Sequence, residues 1–244
     1  MYKRQAVGFG IVGFLDDYIS IKKHRNLGLT EIQKLILQFI IVGAYLLSVA
    51  FAGGTTETVI PFLGSVDLGF FYYILAAVFI VGMVNAVNFT DGIDGLNTSV
   101  TLVVALVFSV IAMLLNRVGL SLYAAAIVGA MIGFLFWNAN PAKVFMGDTG
   151  STFLGFMLAT LSIQGVFKSY AVISFAVPLL ILGLPLFDAL FAMIRRILRG
   201  QSPMTADRGH LHHRLVDMGF SQKQTVFILY AISGVLGITA VLLA

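Results

Sequence analysis

Long apolar runs broken by short polar stretches dominate the chain. The runs at 6–16, 33–53, 68–88, 98–116, 119–138, 150–166, 170–194 and 224–244 mostly approach the roughly 20 residues that a helix needs to cross a hydrocarbon layer. The pattern predicts an all-α polytopic membrane protein with about eight transmembrane helices, the first incomplete. No internal repeat, low-complexity tract or linker divides it, so residues 1–244 read as a single integral-membrane domain. The opening MYKRQ runs straight into the apolar segment Ala6 to Leu15, too short for a signal-peptide core with its cleavage site and too short to span. Residues 1–5 therefore read as a non-native start with earlier helices missing, the alternative being a genuine short first helix.

Composition strengthens this picture. The chain is 59% hydrophobic and 11% charged, where soluble domains carry about 25% charged residues. The absence of cysteine excludes disulfides and thiolate metal sites but leaves the compartment open. A net charge of +4 raises the question of a nucleic-acid partner, and its distribution answers it. Lys22, Lys23, Arg25, Lys34, Lys143, Arg195, Arg196, Arg199, Arg208, Arg214 and Lys223 follow the odd-numbered spans, whereas the opposite loops hold only Arg117 and Lys168. The positive-inside rule makes the first set cytoplasmic, against membrane lipid rather than nucleic acid.

Counting crossings places the polar groups as well. Asp16 and Asp17 end the first span, Asp91 and Asp94 follow two crossings later, Asp148 two more, and His210, His212 and His213 another two. All fall on the cytoplasmic face, which points to one composite site, because polar groups at membrane depth are costly and usually functional.

The motifs carry chemistry in different ways. In FLDDY, adjacent Asp16 and Asp17 repel, which suits a divalent cation, a cationic partner or one acid raised into the range of a base; a solvated capping pair is the bland alternative. In NAVNFTDGIDGL, Asn85 and Asn88, like Asp91 and Asp94, are three apart and could share a helical face, and the glycines permit close approach of a phosphate-bearing ligand. The spacing is not that of a calcium-binding EF-hand loop. In WNANPAKVFMGDTGS, Asp148 leads into a helix N-terminus, a place suited to a metal held against phosphate. Phe145 could stack on a base or anchor the interface, and Lys143 could meet phosphate or only obey the charge rule. The loop RRILRGQSPMTADRGHLHHRL sets His210, His212, His213 and Arg214 among further arginines, a grip for a polyanionic substrate or for anionic head groups. Asp188 follows Pro185 in an apolar helix, where pairing within the bundle is expected, and His24 is given no role. A divalent cation, a phosphate-rich substrate and a membrane-embedded partner together indicate phosphoryl transfer from a soluble nucleotide to a lipid phosphate.

FLDDY, NAVNFTDGIDGL, NPAKVFMGDTGS and HLHHR resemble, in order and spacing over nearly the whole chain, the polyprenyl-phosphate N-acetylhexosamine-1-phosphate transferases of glycosyltransferase family 4. The resemblance implies transfer of a sugar 1-phosphate from a UDP-sugar to undecaprenyl phosphate, with Mg2+ and release of UMP, at the cytoplasmic side of the bacterial plasma membrane; a homodimer is compatible with it. It implies Asp148 as magnesium ligand, Phe145 stacked on uracil, and Asn88, Asp91 and Asp94 shaping the nucleotide and diphosphate site. Asp16 or Asp17 would deprotonate or position the lipid phosphate, and the histidine loop would hold donor sugar and phosphates.

Two branches compete. KHRNLGLTEIQK and IPFLGSVDLG look like the phospho-N-acetylmuramoyl-pentapeptide transferases, whereas the stretch from LFDALF to SQKQT looks like the GlcNAc-1-phosphate transferases, with HxHH in place of PxHHH. The histidine loop lies at the sugar end, so UDP-GlcNAc is favoured; a chimeric sequence would also give this mixture. The chain departs from the family in lacking its first helices with a basic loop between them, and in having Ser20 where many members carry Lys. A secondary transporter would place its acids at mid-span rather than at one boundary, and a CDP-alcohol phosphatidyltransferase would need a DGxxAR signature that is absent.

Overall fold

The computed structural model describes residues 3–23, 28–60, 64–166, 176–201 and 209–243. His24, Arg25, Lys168 and Arg208, the segment 61–63 and the start of the seventh expected span at 170–175 lie outside them. The elements in order are α1 (Lys3–Lys22), α2 (Glu31–Phe51), β1 (Glu57–Ile60), β2 (Gly64–Asp67), α3 (Phe70–Thr90), α4 (Leu96–Leu114), α5 (Val118–Asn138), α6 (Gly147–Leu161), a π-helical turn (Ser162–Val166), α7 (Ala176–Ile181), α8 (Gly183–Leu198), α9 (Leu211–Asp217) and α10 (Gln222–Leu243).

Five of these, α2, α3, α4, α5 and α10, are long and apolar enough to cross a membrane. The protein is thus a helical, polytopic membrane protein, and five of the eight expected spans stand as single apolar helices among the described residues. The other three differ for readable reasons. Asp16, Asp17 and Lys22 interrupt the apolarity of α1, which also runs on to Lys22 instead of ending at the acids. A lysine in the last turn matches the negative end of the helix dipole there. The sixth span is α6 continued by the π turn, and the described part of the seventh breaks at Leu182 into α7 and α8, three residues before Pro185.

The β1–β2 hairpin is an element that the apolar pattern did not predict. Glu57 pairs with Asp67 and Thr58 with Val66 in an antiparallel register. Asp67 accepts from the Thr56 hydroxyl and, at 3.0 Å, from Gly69 N. These bonds, the Thr56 one foremost, hold its carboxyl below the usual carboxylate range.

Residues 1–88 and 146–175 form one compact unit, and residues 89–145 and 176–244 form another. In the first, α1 and α2 pack with α6 around Phe9, Tyr45 and Phe156; the Phe9 and Phe156 rings stack at 4.9 Å and Tyr45 meets Phe156 edge-on at 5.4 Å. The start of α2 is fixed locally by a capping box between Thr30 and Gln33. Gly13 lets α1 approach the backbone of Asp148, where a methyl group would overlap the carbonyl. Buried Gln38 and Asn85 bind each other through their amides, with Asn85 Nδ2 donating to Gln38 Oε1 at 2.8 Å and to Val81 O at 2.8 Å. That pair satisfies two polar side chains inside an apolar bundle and sets the register of α2 against α3.

In the second unit α4 packs against α5 and α10. Ser109 and Ser121 join the first two helices through their hydroxyls at 3.2 Å, and Gly237 of α10 lies so close on Val107 that a methyl group would overlap it. Small residues and paired hydroxyls at helix contacts are the usual means of close packing where no water drives association.

Candidate functional site

In the first unit Asp16, Asp17 and Asp148 bring carboxylate oxygens within 4.8 Å of one another, all three side chains half-buried. Neighbouring residues on a helix point about 100° apart, so the two adjacent acids take different partners. Asp17 accepts from Asp148 N at 3.3 Å, Thr149 N at 3.1 Å and Thr149 Oγ1 at 2.9 Å. These first-turn amides of α6 have no acceptor within their own helix, and a carboxylate also suits the positive end of the dipole. Gly147 makes the approach feasible: its φ is +62°, and a Cβ there would sit 2.8 Å from Asp17 Oδ2.

Asp16 faces elsewhere. Its Oδ1 accepts from Leu29 N at 2.9 Å and its Oδ2 lies 3.3 Å from the Lys34 ammonium. Lys34 in turn donates to Asp148 Oδ2 at 2.5 Å, while Asn88 donates to Asp148 Oδ1 and Ser151 Oγ, both at 2.8 Å. The expected repulsion between acids is thus relieved by one ammonium shared by Asp16 and Asp148 and by the end of α6. Three carboxylates against one ammonium leave the cluster net negative with only oxygen ligands, a donor set that fits a hard divalent cation. In the sequence Lys34 is only one of the topological charges. Its signal was there: Lys34 and Gln38 are polar residues four apart, hence on one face, of an otherwise apolar helix.

The second unit holds the rest of the expected residues. Because α3 ends at Thr90, Asp91 and Asp94 lie in a turn and do not share a helical face as their spacing had suggested. Only Asn85 and Asn88 are helical, and they serve different partners. Asp94 Oδ2 accepts from Asn140 Nδ2 at 3.1 Å and Ala142 N at 3.0 Å, which ties the DGIDG turn to the loop after α5. Buried Asn138 braces that loop from inside, accepting from Thr98 Oγ1 at 2.6 Å and donating to Val144 O at 3.0 Å. The Lys143 ammonium sits 5.7 Å over the Trp137 ring, and Phe145 is 71% exposed, its ring open to a stacking partner.

The histidines separate by environment. His210 and His212 are buried, His213 is half-buried and Arg214 is exposed. The His212 ring lies on Gly92 of the DGIDG turn, where a methyl group would overlap Nε2. Burial first, then the neighbouring His213, push His212 down to about 4. An unfolded histidine titrates near 6.5, so between the two values the unfolded chain binds a proton that the folded chain refuses. Stability contributed by the neutral buried ring is therefore complete above pH 6.5 and is lost as the pH falls toward 4. Thermal unfolding in detergent should show a midpoint falling more steeply over that window in the wild type than in His212→Gln; parallel curves would remove the assignment.

Comparison with known proteins gives one family match and three relatives. A sequence model described as glycosyl transferase family 4 matches residues 4–166. A probable undecaprenyl-phosphate N-acetylglucosaminyl 1-phosphate transferase of Bacillus subtilis is 40% identical over 185 residues, covering 75% of this chain and 52% of its own length. A phospho-N-acetylmuramoyl-pentapeptide-transferase of Halalkalibacterium halodurans is 45% identical over 160 residues, covering 65% of this chain and 49% of its own, and one of Bacillus mycoides is 46% identical over 157, covering 64% and 48%. The chain spans about half the length of the curated relatives it matches.

Proposed function

The chain belongs to glycosyl transferase family 4, and we propose that it serves transfer of N-acetylhexosamine 1-phosphate from a UDP-sugar, UDP-GlcNAc before others, to undecaprenyl phosphate in the bacterial plasma membrane. The observation that carries this reading is the grouping of Asp16, Asp17 and Asp148 with Lys34 and Asn88 at the start of α6. Acids alone would suit many cations; acids that share an ammonium at the positive end of a helix dipole suit a cation that carries a diphosphate. In the step, an oxygen of the lipid phosphate forms a bond to the sugar-bearing phosphorus while the bond from that phosphorus to the bridging oxygen breaks, and UMP leaves with the electron pair.

Magnesium, held by Asp148, would supply charge neutralisation on the diphosphate. Asp16 is the acid we assign to positioning or deprotonating the lipid phosphate, since it shares the Lys34 ammonium with Asp148, whereas Asp17 is given over to the first-turn amides of α6. We assign Asn88, Asp91 and Asp94 to shaping the nucleotide diphosphate, Phe145 to uracil and Lys143 to phosphate. His212, His213 and Arg214 go to the donor sugar and its phosphates. Eight spans with the reacting groups on the cytoplasmic side belong to the same reading, supported by the distribution of basic residues.

The preference for GlcNAc rests on HxHH and on the longer match to the relative named for that sugar, 185 residues against 160. The second reading, a phospho-MurNAc-pentapeptide transferase, is supported by the higher identity of the relatives so named, 45% and 46%. The purified protein in detergent, offered undecaprenyl phosphate with UDP-GlcNAc or with UDP-MurNAc-pentapeptide, should release UMP with the first at least tenfold faster, a discrimination of about 1.4 kcal/mol. Faster release with the pentapeptide donor selects the second reading, and none with either refutes both.

A further inference from the structure

The HxHH segment is held by α8. Asp188 Oδ2 lies 2.9 Å from His210 Nδ1, and Asp188 Oδ1 accepts from Leu211 N, the first amide of α9, at 2.8 Å. Two turns further along α8, Arg195 Nη1 donates to Gly209 O at 2.9 Å, and Arg196 Nη2 lies 3.4 Å from His210 Nε2. His210 also packs against Phe89 at 5.6 Å, and the Arg196 guanidinium lies 5.9 Å over the other aromatic ring of that contact. Positions 188, 195 and 196 share one helical face, so a single element fixes the start of the histidine helix.

Donor and acceptor chemistry then decides the state of His210. A carboxylate accepts, so Nδ1 carries the proton; a guanidinium only donates, so Nε2 presents its lone pair. Both nitrogens of His210 are thereby engaged by the protein, and the ring is 5% exposed. His212, one stacked ring away at 5.8 Å and 2% exposed, has a buried Nε2 with no hydrogen-bond partner among the described residues.

We propose that Asp188 is a positioning residue that fixes His210 as the Nδ1–H tautomer and caps α9, so that His210 orients the histidine helix while half-buried His213 and exposed Arg214 are the members presented to the donor. This rests on the reading of that helix as a donor-binding element. It separates roles that the HxHH pattern treats alike. Asp188 acts through His210 and the α9 backbone, without touching substrate.

The test has two arms. The chain has four histidines, so 15N-histidine labelling, assigned with single His→Gln variants, reads each tautomer in detergent without any turnover. His210 should be protonated at Nδ1 and bare at Nε2, and Asp188→Asn should abolish that preference. An Nε2–H His210 in the wild type, or one unmoved by Asp188→Asn, overturns the proposal. In the second arm, Asp188→Asn should raise the KM for the UDP-sugar about tenfold, the size expected for one lost orienting hydrogen bond, with the KM for undecaprenyl phosphate unchanged and partial recovery in Asp188→Glu. A fall in kcat at constant KM for both substrates means only a smaller folded fraction and overturns the positioning role. A wild type without transferase activity refutes the proposed function and leaves the tautomer arm to decide this one.

Discussion

Asp148→Ala is expected to lower UMP release by about 10³-fold, some 4 kcal/mol of barrier, while leaving the protein folded. The reason lies in what this side chain joins. It binds Lys34 through one oxygen and Asn88 through the other, and it stands in the first turn of α6 beside the amides that Asp17 accepts. Removal empties the place where a cation and a phosphate would meet and deprives Lys34 of its shorter ion pair. Asp148→Asn keeps the shape and can still bond Asn88, so it separates charge from packing: both variants should be inactive, with Asn nearer the wild type in thermal unfolding. Turnover within tenfold of the wild type in either would remove Asp148 from the reacting centre.

Lys34→Met should be nearly as damaging, and it adds a signature in stability. Without the ammonium, Asp16 and Asp148 face each other uncompensated, their side chains 14% and 24% exposed. Removing one partner of a fully buried pair costs about 3–5 kcal/mol; this partly solvated site should lose about 2 kcal/mol by the same argument. The same two oxygens are those a divalent cation would take. Magnesium should therefore raise the thermal midpoint of Lys34→Met more than that of the wild type, where the ion competes with the ammonium. An equal response in the two proteins would place the cation elsewhere, and an unchanged midpoint without magnesium would show the pair to be dispensable.

The motifs around these residues were legible as motifs. FLDDY, DGIDG, FMGD and HLHH stood out because polar residues at the ends of apolar runs are costly to keep without a purpose. Their partners were not legible. Lys34 looks in the sequence like one more cytoplasmic charge, and Gln38 carries no motif, because the groups they meet, Asp148 and Asn85, are 114 and 47 positions away. Asp188 was expected to be paired, but its pairing with His210 and Leu211 needed the return of the chain through α9. The turn at Asp91 to Gly95 shows the opposite failure: a spacing of three suited a helix, and the helix ends at Thr90, before both acids.

By itself the sequence determined the membrane class, the places of the five long apolar helices and the family. Each of these depends on composition, local periodicity or residues a few positions apart, and so survives in one dimension. Only the tertiary structure decided that Asp17 holds the end of α6, that Asp16 and Asp148 share one ammonium, and that His210 and His212 stand in different surroundings. Hydrogen bonds and ion pairs are short-ranged in space and indifferent to separation along the chain. Asp17 and Thr149, 132 positions apart, become neighbours only when α1 and α6 have packed.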